Sequence, residues 1–276
     1  MLNRNVIISA AVAGVIVIGA AVAVIVSRSE TPDKIDLSSI HTTEAPAQEP
    51  ETTAPPETTP APTTQTAAEG DEVQSLSYQI AAYESDGKIR IEYPVISQMS
   101  DSAKQDQINQ HLMENALSLL KAWDTEGGKC TIDIKCQVPA LTRKRITALY
   151  TGYASLDGAP HPVNLFYSNT YDLIAGTDLG LSDFADPYTM AGYVLSDDVQ
   201  FEETGKGSLA DVLEARQMMD IAYYTDIFTK ADFPFDAEVT WPSSFSYEKQ
   251  GIIYFSIPVP HAIGDYAIIK FTPETK

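Results

Sequence analysis

Apolar and polar positions alternate along much of the chain beyond residue 75, and this period of two predicts half-buried β-strands. Short turns rich in Gly, Asp, Pro and Ser separate neighbouring runs and favour antiparallel hairpins. We expect the rest of the folded part to pack around a central hairpin at residues 146–173, whose connection spans residues 156–162. The strand-like runs lie at residues 76–84, 88–95, 129–138, 146–155, 163–173, 245–248, 252–257 and 266–271.

Two stretches have a helical period instead. Apolar residues share one face between residues 108 and 123, and polar residues at 100–102 offer N-cap side chains. A second helix is predicted at residues 209–228, with Ser208 as its N-cap. Strands and helices in mixed order predict an α+β fold with mostly antiparallel sheets and two main helices.

The N-terminal pattern is different, because residues 6–26 contain no charged side chain. A helix of about 20 apolar residues spans the hydrocarbon core of a bilayer, whereas the apolar part of a signal peptide has about 7–15. We therefore expect an uncleaved transmembrane helix, with residues 1–5 as a cytoplasmic tail. Ala21-Val22-Ala23 resembles a cleavage site, so a cleaved signal peptide is the alternative.

A linker rich in Thr, Pro, Ala and Glu follows at residues 29–73, with seven prolines from Pro32 to Pro62. Such a composition cannot bury enough apolar surface to offset the entropy of ordering, so we predict a disordered stalk. Stalks of this kind are typical of the outer face of a membrane. Beyond it we expect a small α+β subdomain at residues 74–140 and a C-terminal domain at residues 141–276.

The charge of the chain restricts its partners. The whole chain has a formal charge of −20, and residues 31–276 contain 16 basic and 37 acidic side chains. Nucleic-acid binding needs a basic face, so that class is excluded. Docking on anionic lipid is disfavoured for the same reason, which leaves the N-terminal anchor as the expected membrane contact. An acidic domain favours cationic partners, although acidic surfaces also simply keep proteins soluble.

The two cysteines share one face of a predicted strand at residues 129–138. Cys130, Ile132, Ile134 and Cys136 alternate with polar residues. Six residues of strand separate the two cysteines by about 20 Å, whereas a disulfide needs Cα atoms within about 7 Å. We expect two buried thiols that are not bridged to each other. Without histidines at ligand spacing they do not predict a metal site, and no cofactor is expected.

Candidate ligand-binding residues lie on the central hairpin. Tyr150, Tyr153, Tyr167 and Tyr171 offer rigid, amphipathic contact area suited to recognition of a protein or a glycan. The alternative is that these rings belong to the core, with hydroxyl groups at the surface.

Two histidines occupy connections at strand ends. His161 lies between two prolines in the central connection, near Asp157, and His261 precedes Asp265 near the C-terminus. The two connections can converge on one surface, where the histidines with either aspartate could bind a metal. The alternative is a pair of turn histidines that satisfy backbone groups. We include Asp157, His161 and His261 among the candidate ligand-binding residues.

Catalytic signatures are missing from the sequence. It contains no Gly-x-Ser-x-Gly, no His-Glu-x-x-His, no Ser-x-x-Lys with its companion motifs and no glycine-rich phosphate-binding loop. We therefore expect a protein that binds its ligand rather than an enzyme.

The central hairpin and the residues after it resemble the C-terminal domain of RsiV-type anti-sigma factors. The pattern is a turn around an Ala-His pair, then an aromatic-Asp-Leu run with spaced glycine and leucines. The matching residues are Tyr153, Gly158, Ala159, His161, the run Asn169-Thr170-Tyr171-Asp172-Leu173, Gly176, Leu179, Leu181, Asp183 and Phe184. Ile91-Glu92-Tyr93-Pro94-Val95 and the helix after it resemble the small domain found in PdaC-type polysaccharide deacetylases.

The resemblance implies a membrane-anchored extracellular domain of a Gram-positive cell envelope. In the RsiV type this domain binds lysozyme and controls a sigma factor. Five cytoplasmic residues are too few to hold a sigma factor, and the deacetylase domain is missing, so neither activity is carried over. We expect a binding or sensing domain for a lysozyme-like protein or a cell-wall glycan. A glycan-modifying enzyme and a purely structural envelope protein are the alternatives.

Overall fold

The structure is a computed structural model and describes residues 76–123, 129–234 and 241–273. Ten strands and six α-helices lie within these ranges, in a mixed α+β arrangement as expected. The predicted cytoplasmic tail, transmembrane helix and stalk fall outside them. Among the helices that the structure describes, none is both long and apolar enough to cross a membrane.

Six strands form the larger sheet in the order of the chain. Neighbouring strands are antiparallel except β2 and β3, which are parallel because two helices connect them. The strands are β1 (Ser77–Ser85), β2 (Ile89–Ser97), β3 (Cys130–Leu141), β4 (Arg145–Leu156), β5 (Val163–Asp172) and β6 (Thr177–Leu179). The connecting helices are α1 (Ser102–Leu117) and α2 (Leu119–Ala122).

Helix α1 confirms the predicted amphipathic helix. The Asp101 carboxylate accepts a hydrogen bond from the backbone N–H of Lys104 at 3.0 Å, which satisfies one of the N–H groups left free at a helix start. Ile108, Leu112 and Ala116 are buried. Their spacing of four residues places them on one face, which packs against the sheet.

The smaller sheet contains four antiparallel strands in the order β7-β10-β9-β8. These strands are β7 (Gln200–Glu203), β8 (Ser246–Lys249), β9 (Ile252–Pro258) and β10 (Tyr266–Phe271). Four helices accompany them: α3 (Leu181–Phe184), α4 (Pro187–Leu195), α5 (Leu209–Arg216) and α6 (Ile221–Thr229).

The prediction of one long helix at residues 209–228 is wrong. The chain leaves the helix after Arg216 and starts α6 at Ile221, because Asp220 acts as a new N-cap and accepts from the N–H of Tyr223 at 2.8 Å. Helix α4 was not predicted either. It is only nine residues long and starts at Pro187, so its periodic signal is short. The expected two main helices are therefore too few.

The two sheets share a core in which aromatic rings from both sheets pack among aliphatic residues. The rings of Phe166 and Tyr247 lie 6.5 Å apart, and Ser168 Oγ donates to the backbone oxygen of Ser246 at 2.8 Å.

Cys130 and Cys136 are buried thiols on the inner face of β3, which confirms the predicted strand face. Strands β3 and β4 pair across the expected boundary between residues 140 and 141, so one sheet contains parts of both predicted domains.

Candidate functional site

The two connections that carry His161 and His261 meet at one end of the structure. His161 lies in the connection between β4 and β5, and His261 begins a short 3-10 helix between β9 and β10. The ring centres of these histidines are 5.9 Å apart, with their planes tilted by 32°. The suggestion that the two histidines converge on one surface is therefore correct.

Asp265 fixes the orientation of His261. Its Oδ1 lies 2.7 Å from His261 Nδ1, and its Oδ2 accepts from both the backbone N–H and the side-chain amide of Asn164, each at 2.8 Å. Both carboxylate oxygens are thus engaged. Because Nδ1 faces Asp265, the other ring nitrogen of His261, Nε2, points away from it, and 47% of this side chain is exposed.

The backbone around Asp265 is held in an uncommon conformation. Asp265 has φ 75° and Gly264 has φ 116°, both in the left-handed region. A Cβ on Gly264 would lie 2.6 Å from the backbone nitrogen of Lys206, so only glycine fits there. The N–H groups of Lys206 and Gly207 also donate to the Ile263 oxygen at 2.9 and 3.0 Å. The loop that carries His261 is therefore anchored to a neighbouring segment.

Tyr153 lies in β4, and Asp157 directly follows that strand. Tyr153 of β4 is the direct cross-strand partner of Asn164 of β5, and 38% of it is exposed. Asp157 forms an exposed ion pair with Lys88 at 3.2 Å. We call Tyr153, His161, Asn164, His261 and Asp265 the histidine surface.

The other three predicted contact residues, Tyr150, Tyr167 and Tyr171, are buried. The rings of Tyr150 and Tyr167 stack at 4.4 Å, and burial raises the pKa of both phenols well above the usual value. Tyr167 donates to the backbone oxygen of Ala116 at 2.9 Å. The expectation that these three tyrosines contact a ligand is wrong, because they form the core.

The structure contains a second histidine–aspartate pair, which the sequence does not predict. His111 Nε2 on α1 lies 2.9 Å from Asp178 Oδ2 on β6, and Asp178 is almost fully buried. Asp178 Oδ1 also accepts from the amides of Asn115 and Asn169, at 3.0 and 2.7 Å. No sequence signal indicates this pairing, because 67 residues separate the histidine from the aspartate.

The described residues contain no ready-made metal cluster, and a groove lies away from the histidines. Within residues 76–123, 129–234 and 241–273 no group of three or more His, Cys, Asp or Glu side chains is arranged to hold a metal ion. An open groove of about 420 Å³ is lined by Tyr78 and Ile80 of β1, residues 136–139 of β3 and Lys249. None of these lining residues belongs to the histidine surface.

No protein-family model and no curated protein matches the chain. Among solved structures, a member of the DUF3298 family from Bacteroides fragilis matches with 13% identity, 72% coverage of this chain, 91% of that chain and a TM-score of 0.41. A DUF3298 family protein from Pseudomonas aeruginosa matches with 12% identity, 72% and 90% coverage and a TM-score of 0.36. These neighbours do not confirm the RsiV-type and PdaC-type resemblance.

Proposed function

We propose that the folded part of this chain is a ligand-binding domain of a Gram-positive-type cell envelope, and that the histidine surface contacts the ligand. The observation that carries the proposal is the meeting of His161 and His261, 100 positions apart, with ring centres 5.9 Å apart. Both rings lie on connections rather than in the core, where binding residues are commonly found.

The histidine surface is ordered before any ligand arrives. Asp265 holds His261, and Asn164 holds Asp265 through two hydrogen bonds. A contact group that is already oriented loses less entropy on binding, so a given set of contacts produces tighter binding. Tyr153, the cross-strand partner of Asn164, adds an exposed ring, and tyrosine is a frequent hot-spot residue.

The charge of the chain supports a cationic protein ligand. A formal charge of −20 attracts positively charged proteins over a distance of about 8 Å at physiological salt. A lysozyme-like protein is the first candidate, which the RsiV-type resemblance also suggests. A cell-wall glycan is the second, because imidazole and phenol groups hydrogen-bond to sugar hydroxyls.

The proposed location rests on the sequence alone. The uncharged run at residues 6–26 is long enough for a membrane anchor, and the Pro/Thr-rich residues 29–73 suit a stalk on the outer face. Protease added to intact cells is expected to remove the folded part. Complete protection of that part would contradict the proposed topology.

Binding is tested by surface plasmon resonance of the full chain in detergent against lysozyme. We expect a micromolar or tighter complex whose association slows as salt rises, because screening weakens long-range attraction. Tyr153→Ala should weaken binding by about 1–2 kcal/mol. Tyr188→Ala is the matched control, since Tyr188 is also exposed but lies on α4.

Three outcomes would change the proposal. No binding by a chain shown to be folded by circular dichroism rules out lysozyme, and the same assay is then run with cell-wall glycan fragments. An equal loss in the Tyr188 variant would move the contact away from the histidine surface. Glycan hydrolysis or deacetylation that disappears in His161→Ala would favour an enzyme.

A further inference from the structure

We propose that His161 and His261 together bind one divalent transition metal ion, of the kind that imidazole ligands prefer, such as Zn²⁺ or Cu²⁺. This inference goes beyond the proposed function and does not depend on it, because the ion would bind to the chain alone.

The distance between the rings fits a shared ion. Metal–nitrogen bonds of about 2.0–2.1 Å place two imidazoles of one tetrahedral ion with ring centres about 5 Å apart. The observed separation is 5.9 Å. A closing movement of about 1 Å can come from the exposed His161 side chain, since exposed side chains change rotamer within nanoseconds.

The surroundings of His261 are those of a metal ligand. Histidines that bind metals usually place their second ring nitrogen against a carboxylate or a carbonyl, which sets the tautomer and strengthens the ligand nitrogen. Asp265 occupies this position 2.7 Å from Nδ1. Nε2 of His261 is therefore the coordinating atom, and Asn164 prevents Asp265 from rotating away.

The coordination would be incomplete without further ligands. The described part of the chain offers two imidazoles here but no third side chain placed to bind the same ion, since Asp265 faces Nδ1 of His261. Water molecules would fill the remaining positions, and a group from a bound partner can replace them. Two imidazoles with open positions differ from a closed structural site, in which four protein ligands surround the ion.

His111 provides an internal comparison. It also has an aspartate partner, but Asp178 faces its Nε2 atom and is shared with two asparagine amides. Its closest aromatic neighbour is Tyr171, with a ring separation of 4.7 Å, rather than a second imidazole. His111 should therefore not form a shared site, even though it is partly exposed.

The test is isothermal titration calorimetry of the full chain, purified without a polyhistidine tag and treated with a chelator. Titration with Zn²⁺ should reveal one site of about micromolar affinity, and Mg²⁺ should not bind because it prefers oxygen ligands. His161→Ala and His261→Ala should each weaken Zn²⁺ binding at least about tenfold. Asp265→Asn, which changes only the positioning residue, should weaken it by about 10–100-fold.

His41→Ala and His111→Ala are the matched controls, since they remove the other two histidines of the chain. They should leave the affinity unchanged. A second measurement needs no variant: the electron paramagnetic resonance spectrum of bound Cu²⁺ should show coupling to two imidazole nitrogens. Coupling to one imidazole or none, or Zn²⁺ binding that survives both His161→Ala and His261→Ala, would overturn the proposal.

Discussion

Two histidine–aspartate pairs in this molecule share their chemistry but differ in their surroundings. His261 and Asp265 lie 2.7 Å apart, and His111 and Asp178 lie 2.9 Å apart. The Asp178 side chain is 2% exposed, against 14% for Asp265. The first pair belongs to the histidine surface, whereas the second lies between a helix and the edge of the larger sheet.

The neighbours of each pair explain the difference. Asp178 accepts from two asparagine amides, so its carboxylate ties α1 to β5 and β6. Asp265 instead orients an imidazole beside a second imidazole on another loop. A histidine–aspartate pair therefore does not identify a functional site by itself. The difference lies in the neighbouring ring, which is a second imidazole beside His261 and a tyrosine beside His111.

The largest expected effect is the loss of stability when the aspartate of one of the two pairs is replaced by alanine. Asp178→Ala should lower the free energy of unfolding by about 3–5 kcal/mol, because it leaves a buried polar network without its central acceptor. Asp265→Ala should cost about 1–2 kcal/mol, since its partners are closer to water. Urea unfolding followed by circular dichroism measures both values. Equal losses would mean that both pairs serve the fold equally.

A third aspartate, Asp232, shows how burial changes a pKa when backbone N–H groups and a serine hydroxyl are the hydrogen-bond donors. Asp232 accepts from the N–H of Leu181 and from the N–H and hydroxyl of Ser246. Burial raises its pKa from the ordinary 3.8 to about 7, although these hydrogen bonds act in the opposite direction. The folded chain therefore keeps this proton at a pH where the unfolded chain has released it.

Stability should consequently fall as pH rises from about 4 through 7, by up to about 1.4 kcal/mol per pH unit from this group. The contribution of Asp232 is fully present below its unfolded pKa and is lost as pH passes its folded pKa. Urea unfolding at several pH values should show this slope in the wild-type chain and a flatter one in Asp232→Asn. The other carboxylates titrate in the wild-type protein and in the Asp232→Asn variant alike. The difference between the two slopes therefore reports on Asp232 alone. Identical slopes would contradict the raised pKa.

A smaller effect on stability is expected when either stacked tyrosine, Tyr150 or Tyr167, is replaced by phenylalanine. This change removes the hydroxyl group and its hydrogen bonding but keeps the packed ring. Tyr167→Phe removes the bond to the Ala116 oxygen and should cost about 1 kcal/mol. The buried Tyr150 hydroxyl has no hydrogen-bond partner among the residues that the structure describes. Tyr150→Phe should therefore leave stability unchanged or raise it slightly. Thermal unfolding compares the two, and an equal loss would indicate a partner for Tyr150.

The sequence predicted the parts of the fold that depend on local patterns. The alternation around Cys130 and Cys136 identified a strand and its buried face, and a capping aspartate located the start of α1. The sequence did not predict the break between α5 and α6. The apolar pattern continues across this break and predicts one long helix, although Asp220 can cap a new one. The mixed order of strands and helices, together with the short turns between strands, was enough to predict mostly antiparallel sheets.

The candidate site was predicted only in part, for geometric reasons. His161 and His261 were grouped because both follow strand ends, and connections at strand ends can meet at one edge of a fold. The tyrosines were grouped by composition, which cannot assign faces: Tyr150 and Tyr153 are three positions apart and so point to opposite sides of β4. The contact between His111 and Asp178 depends on packing of a helix on a sheet, which carries no local signal.

The most direct test of the central claim is nuclear magnetic resonance of the full chain with ¹³C-labelled histidine, recorded as unlabelled lysozyme is added. The claim is that the histidine surface binds a ligand while the pair of His111 and Asp178 serves the fold. We predict that the resonances of His161 and His261 shift and broaden together, whereas that of His111 stays in place. A shift of His111 with unchanged His161 and His261 would contradict the claim and would assign the ligand to the other pair.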